Sequence, residues 1–343
     1  MALALRAVVF DLLITITLVA LQQIKVDAHK HQKLGVVKKC RFDKIYQLGD
    51  SLSDTGNCIR ESLCGANSAC SRLPYGMNLF QKATERCSDG KLMIDFIAVE
   101  SGLPLLNPYK YQNANFSHGA NFAVAGTTAL SAEFLIDKNI AMSFTNSSLS
   151  EQLDWMDSHF RSTCFSDCRK NLKSSLFLVG EIGGNDFNYG LWQGKTMEEL
   201  RRMVPDAVHT IIHGVKKVIG FVATRIVVPG NFPTGCIPAM LTKFMTNNTT
   251  AYDEYRCLKD LNDFYPNITL IYGDYYNAFQ WLLQHAVSLV SNVVLQESLC
   301  VDPSTYISWD GIHLTQAAYK WLARWLIHDM LPQWNCHDLS YYS

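Results

Sequence analysis

Four short stretches carry residues able to do chemistry together. In "YQLGDSLSDTGN", positions 46 to 57, Ser51 follows a short apolar run. A serine at the point where a parallel strand gives way to a helix sits at the carboxyl edge of a sheet, close to backbone N–H groups and the helix dipole. That is a nucleophile's position. The same Gly49-Asp50-Ser51-Leu52 tetrapeptide also suits a plain strand-to-helix turn, since Asp and Ser cap helices and Gly tolerates turns. It is not the G-x-S-x-G elbow, because Ser53 stands where the last glycine would be.

A serine hydroxyl needs a base, and the base needs an orienting carboxylate. "SWDGIHLTQAAY" supplies Asp310 and His313 three residues apart, just ahead of the final helical pattern. On one turn this spacing lets the carboxylate hold one imidazole nitrogen while the other stays available. A tetrahedral intermediate further requires donors for its oxyanion. "GEIGGNDFNYG" offers the Asn185 amide next to Gly183 and Gly184, with Asp186 placed to fix the loop, and "GANFAVAGTTAL" offers the Gly126 N–H without a side chain in the way. Taken singly, each stretch reads equally as a capped or glycine-rich turn.

The elements that must position these groups are legible as short β-branched, apolar runs at 42–48, 174–182, 224–230 and 267–274, separated by helical patterns. Strands alternating with helices predict a parallel sheet covered on both faces. A long helix is predicted from a Thr196/Glu199 capping box, with Val208, Ile211, Ile212, Val215 and Ile219 on its apolar stripe and Pro205 inside it. The last helix carries Ala318, Trp321, Leu322, Trp325 and Leu326 on a core-facing stripe.

Composition narrows the functional classes. The 343 residues are 48% hydrophobic and 18% charged, enough for one large domain, and no repeat or linker divides the chain. With a formal net charge of -1 and no basic, aromatic-interleaved stripe, nothing favours nucleic acid as a partner. Residues 1–28 read as a secretory signal peptide, with Arg6, an apolar stretch from Leu12 to Leu21 and a small-residue site near Ala28, although Asp11 is out of place there. The mature domain is then 29–343, and no run is long enough for a stable membrane span. Eleven cysteines suit an oxidising compartment and leave one unpaired, while no paired ligand blocks suggest a metal. His209 and His213 lie at i, i+4 but lack the Glu of H-E-x-x-H, so they read as packing or surface residues. Asn115, Asn146, Asn247, Asn248 and Asn267 begin glycosylation sequons.

Taken together and in order, "GDSLSDTGN", "NFAVAGTT", "GGND" and "WDGIHLT" resemble the signature blocks of the GDSL esterase/lipase family within the SGNH hydrolases, in the plant branch of acetylajmalan-esterase-like and sinapine-esterase-like enzymes. The resemblance extends through "LPYGMNLFQKATERCSDGKLMIDFIA" and "IVVPGNFPTGCIPAMLT". It implies a three-layer α/β/α, flavodoxin-like fold around a central parallel sheet. It implies Ser51 as nucleophile, His313 as base and then acid, Asp310 as its orienter, and an oxyanion hole of the Ser51 and Gly126 N–H groups with the Asn185 side chain. No cofactor is called for. The expected activity is hydrolysis of small-molecule carboxylic esters, of small alcohols or acylated plant metabolites with lipids as a further class, by a secreted, extracellular or vacuolar monomer. Acyl transfer to an alcohol would use the same triad, and a silent extracellular glycoprotein of the same fold is the alternative from another class.

Two departures from the family pattern bear on that alternative. After "AYDEYRCLKDLNDF" the chain passes at once to "YPNITLIYGDYY", and residues 285–299 replace a Gly- and Cys-rich loop. A helix over 251–264 would still be about 21 Å long, enough to return across a strand of about 17 to 20 Å. The shortening is expected to lower stability or secretion.

Overall fold

The computed structural model describes residues 37–65, 68–142, 144–163, 172–244, 269–289 and 302–334. Its strands are β1 (Ile45–Leu48), β2 (Gly119–Asn121), β3 (Leu176–Val179), β4 (Arg225–Pro229) and β5 (Thr269–Gly273), all parallel in the order β2-β1-β3-β4-β5. This is a doubly wound sheet whose strand order reverses beside β1, the place where such folds open a crevice at the carboxyl ends of their strands.

The helices are α1 (Met93–Glu100), α2 (Ala132–Asp137), α3 (Leu149–Thr163), α4 (Gly184–Trp192), α5 (Met197–Gly220), α6 (Pro238–Phe244), α7 (Tyr275–Gln284), α8 (Ala286–Leu289) and α9 (Gln316–Met330). Alternate strand residues point to opposite faces, so each strand serves two cores. Ile45, Leu176, Leu178, Val227 and Ile271 pack with α1, α7 and α9, burying Ile97, Phe279, Leu322 and Leu326. Tyr46, Leu48, Phe177, Val179, Ile226 and Val228 pack with α3 and α5, burying Leu153, Met156, Val215 and Val218. The strands therefore read as continuous apolar runs, and the three-layer α/β architecture follows.

The long helix is capped as its sequence predicts: Thr196 Oγ1 accepts from the Glu199 N–H, and the Glu199 carboxylate accepts from the Thr196 N–H. Ile211, Ile212 and Ile219 line the edge of its core contact, while His209 and His213 face solvent. In α9 the buried stripe is Ala318, Tyr319, Leu322, Ala323, Leu326 and Ile327, with Trp321 and Trp325 half-buried at its margin. Cys58 pairs with Cys64 and Cys70 with Cys87; Cys40 is bridged to a partner outside the described residues, and Cys236 is a free thiol. Among the described residues no helix is long and apolar enough to cross a membrane and no His, Cys, Asp or Glu cluster could hold a metal. The leader, the 251–264 helix, most of 285–299 and the sequons at Asn247, Asn248 and Asn267 lie outside the described residues, while Asn115 and Asn146 are exposed.

Candidate active site

The carboxyl ends of β1 and β3 and the loop after β2 converge on one rim. Ser51 is half-buried immediately beyond β1. Its preceding residues are held firmly: the Gly49 N–H donates to Gln152 Oε1 at 2.9 Å, Gln152 Nε2 returns a bond to the Gly49 carbonyl at 2.7 Å, and Asp50 Oδ1 accepts from the Leu52 N–H at 2.9 Å. A turn fixed on both sides presents the serine without freedom to drift. Asp54, a buried carboxyl, accepts the N–H groups of Gly56, Asn57, Cys58 and Ala125, which ties the serine loop to the segment leading to Gly126.

Gly126 adopts φ +86°, and a Cβ there would lie 2.8 Å from Phe144 Cβ and from the Tyr189 hydroxyl oxygen. Only glycine fits this turn. Tyr189 donates to the Gly126 carbonyl at 2.9 Å, and Asp186 accepts the Ala129 and Leu130 N–H groups, each at 2.8 Å. Helix α4 thus fixes the whole 126–130 turn. Among the described residues the N–H groups of Ser51 and Gly126 have no acceptor.

Asn185, in the first turn of α4, donates its amide to Thr127 O at 3.0 Å and to Asp50 Oδ2 at 3.1 Å. It therefore joins the loops after β1 and β2. Asp50 also shares a hydrogen bond with Glu181, and both carboxyls are 4% exposed. Burial raises the Asp50 pKa to about 6, against the Leu52 N–H and Glu181 hydrogen bonds that lower it. Sequence reasoning did not single out Glu181, which stands two residues beyond the end of β3.

The remaining pair comes from the turn before α9. His313 Nδ1 lies 2.6 Å from Asp310 Oδ2, while Asp310 Oδ1 accepts the His313 N–H at 2.7 Å and the Ile312 N–H at 3.0 Å. The two side chains are 14% and 21% exposed. Burial alone would lower the His313 pKa, but the charge and hydrogen bond of Asp310, with a contribution from Asp50, raise it above its ordinary value. Burial opposes ionisation of Asp310 too, yet His313 and the two backbone N–H groups hold it far below the usual range. The mutual influence of Asp50 and His313 brings the turn before α9 into electrostatic reach of the residue preceding Ser51. Two exposed apolar side chains flank this centre: Phe144 beside Gly126, and Ile312 beside His313.

Residues 45–326 match the family model of GDSL-like lipases and acylhydrolases. The chain is 37% identical to "Acetylajmalan esterase 1" of Rauvolfia serpentina, covering 87% of this chain and 89% of that protein. It is 38% identical to "GDSL esterase/lipase At1g28570" of Arabidopsis thaliana, covering 86% and 88%.

Proposed function

The chain belongs to the GDSL-like lipase and acylhydrolase family, whose members support carboxylic ester hydrolysis here, and we propose that Ser51, His313 and Asp310 carry that reaction out. The observation that carries the assignment is the 2.6 Å contact of His313 Nδ1 with Asp310 Oδ2, which commits Nδ1 to the carboxylate and leaves Nε2 as the working nitrogen.

His313 Nε2 takes the Ser51 proton as Oγ attacks the ester carbonyl. Charge then develops on the carbonyl oxygen, and the Ser51 and Gly126 N–H groups, which have no acceptor among the described residues, turn to it. Asn185 is the third donor; the hydrogen it lends Asp50 over the longer of its two bonds is the one shared with the oxyanion. Protonated His313 gives its proton to the departing alcohol, leaving an acyl group on Ser51. Water, deprotonated by the same nitrogen, releases the acid.

The substrate class is a small-molecule ester whose carbonyl meets the polar centre while apolar parts lie on Phe144 and Ile312. Esters of acylated plant metabolites fit this description, and acetylajmalan esterase names one such activity in a relative. The domain spans residues 29–343 behind a signal peptide, acting as a secreted or vacuolar monomer glycosylated at its sequons. Kinetics of Ser51→Ala on p-nitrophenyl acetate test the assignment: turnover falls to the uncatalysed background, and a variant as active as the parent overturns it.

A further inference from the structure

The Cys-rich segment between Cys58 and Cys87 reaches the opposite end of the chain. Tyr75 donates its hydroxyl to Asp310 Oδ2 at 3.0 Å, the same oxygen that holds His313 Nδ1. With Oδ1 taken by the Ile312 and His313 N–H groups, the carboxylate accepts four hydrogen bonds. The Tyr75 ring stands edge-on to Trp309, 5.6 Å between centroids.

This contact is braced from both sides. Cys70–Cys87 closes the segment that contains Tyr75, and the N–H groups of Gly76 and Asn78 bond the Ser88 and Asp89 carbonyls. Ser88 Oγ donates to Leu314 O at 2.9 Å and the Gln316 N–H to Asp89 Oδ1 at 2.6 Å, gripping the chain just beyond His313. A loop serving only to cover the sheet needs no hydroxyl on the Asp310 carboxylate. Burial and the Asp310 charge both raise the Tyr75 pKa, so the phenol stays protonated as a donor throughout the working range.

We propose that Tyr75 is a positioning residue of this site, dividing Asp310 Oδ2 with His313 so that the disulfide-closed segment sets how tightly the carboxylate holds the imidazole. The proposal rests on the reading of Ser51, His313 and Asp310 as the catalytic set. A hydroxyl pointed at Oδ2 draws charge from it and places the positive end of its dipole toward the imidazole. Without it the carboxylate attracts the imidazolium more strongly, and His313 titrates at higher pH. The other groups acting on this pair are Asp50, whose charge acts on His313, and Tyr319, which senses both Asp310 and Asp50.

The test is Tyr75→Phe in the full secreted chain, read by NMR titration of His313 and by the pH profile of kcat/KM with p-nitrophenyl acetate. The expected result is a raised His313 midpoint, a matching upward move of the acidic limb, and a fall in kcat of about three- to tenfold with KM little changed. A merely structural tyrosine leaves the midpoint in place, and an unmoved or lowered midpoint overturns the proposal. Should Tyr75→Phe not fold, 3-fluorotyrosine at position 75, a stronger donor, is expected to lower the midpoint, and no movement there overturns it equally. The NMR readout is independent of turnover, so an inactive parent would count against the catalytic reading while the Tyr75 contact is still decided.

Discussion

Asp310 and His313 hold each other through two separate contacts, ring nitrogen to Oδ2 at 2.6 Å and backbone N–H to Oδ1 at 2.7 Å, so one carboxylate fixes both the tautomer and the turn that carries it. Asp310→Asn keeps the shape but offers an amide whose orientation can present a donor to Nδ1, favouring the wrong tautomer. The expected outcome is a kcat loss of about two to four orders of magnitude with the fold intact, measured by steady-state kinetics beside circular dichroism.

Because Asp310 raises the His313 pKa, the neutral imidazole needed as base is populated only above the ordinary histidine value. In Asp310→Asn that support is gone while burial still opposes the charged form, so the surviving acidic limb of kcat/KM is expected to move to lower pH. A limb that stays in place would assign it to another group.

Asn185→Ala removes an amide joining the loops after β1 and β2, the group proposed as third donor to the oxyanion. A fall in kcat of about 100- to 1,000-fold with little change in KM is the expected result, since the donor matters most when the charge has formed. Equal losses from Asn185→Asp would fit, because a carboxylate offers no hydrogen to an anion.

Much of this arrangement was legible beforehand because local chemistry and global fold agree. Four of the five strands stand out as apolar runs since both faces of a parallel sheet are buried, and the Thr196/Glu199 box marks a helix start by its own hydrogen bonds. The three-residue strand Gly119–Asn121 carries no such signal, being too short and too poor in side chains for any periodicity, and edged by the polar Asn121, which donates to Ser53 O. Tyr75 and Glu181 were not legible either. Their roles depend on contacts across 235 and 131 residues of chain, and no spacing rule reports such contacts.

Burial raises the folded pKa of Asp54 to about 6 and of Asp186 to about 7, against backbone hydrogen bonds that oppose the rise. Both carboxyls therefore bind protons more tightly in the folded than in the unfolded chain. Their contribution to stability is complete below the unfolded value near 4 and is lost as pH rises through about 6 and then 7. Melting temperature is expected to decline between pH 5 and pH 8 (an interval of about three units) and to decline less steeply in Asp186→Asn.

Arg86 makes two parallel bonds to Asp95, Nε to Oδ2 at 2.8 Å and Nη2 to Oδ1 at 2.9 Å, at a place where both side chains are buried. Removing the guanidinium leaves a carboxylate in the core between the Cys-rich segment and α1. Arg86→Met is expected to cost about 3 to 5 kcal/mol in urea denaturation.

The central claim is that Ser51 forms a covalent acyl intermediate, and a fluorophosphonate reads this directly by bonding irreversibly to an activated serine. Treatment of the secreted chain followed by peptide mass analysis is expected to find one adduct, on Ser51, with turnover lost in step with labelling and no label on His313→Ala. An adduct on a different serine, or complete loss of turnover with Ser51 unlabelled, would contradict it.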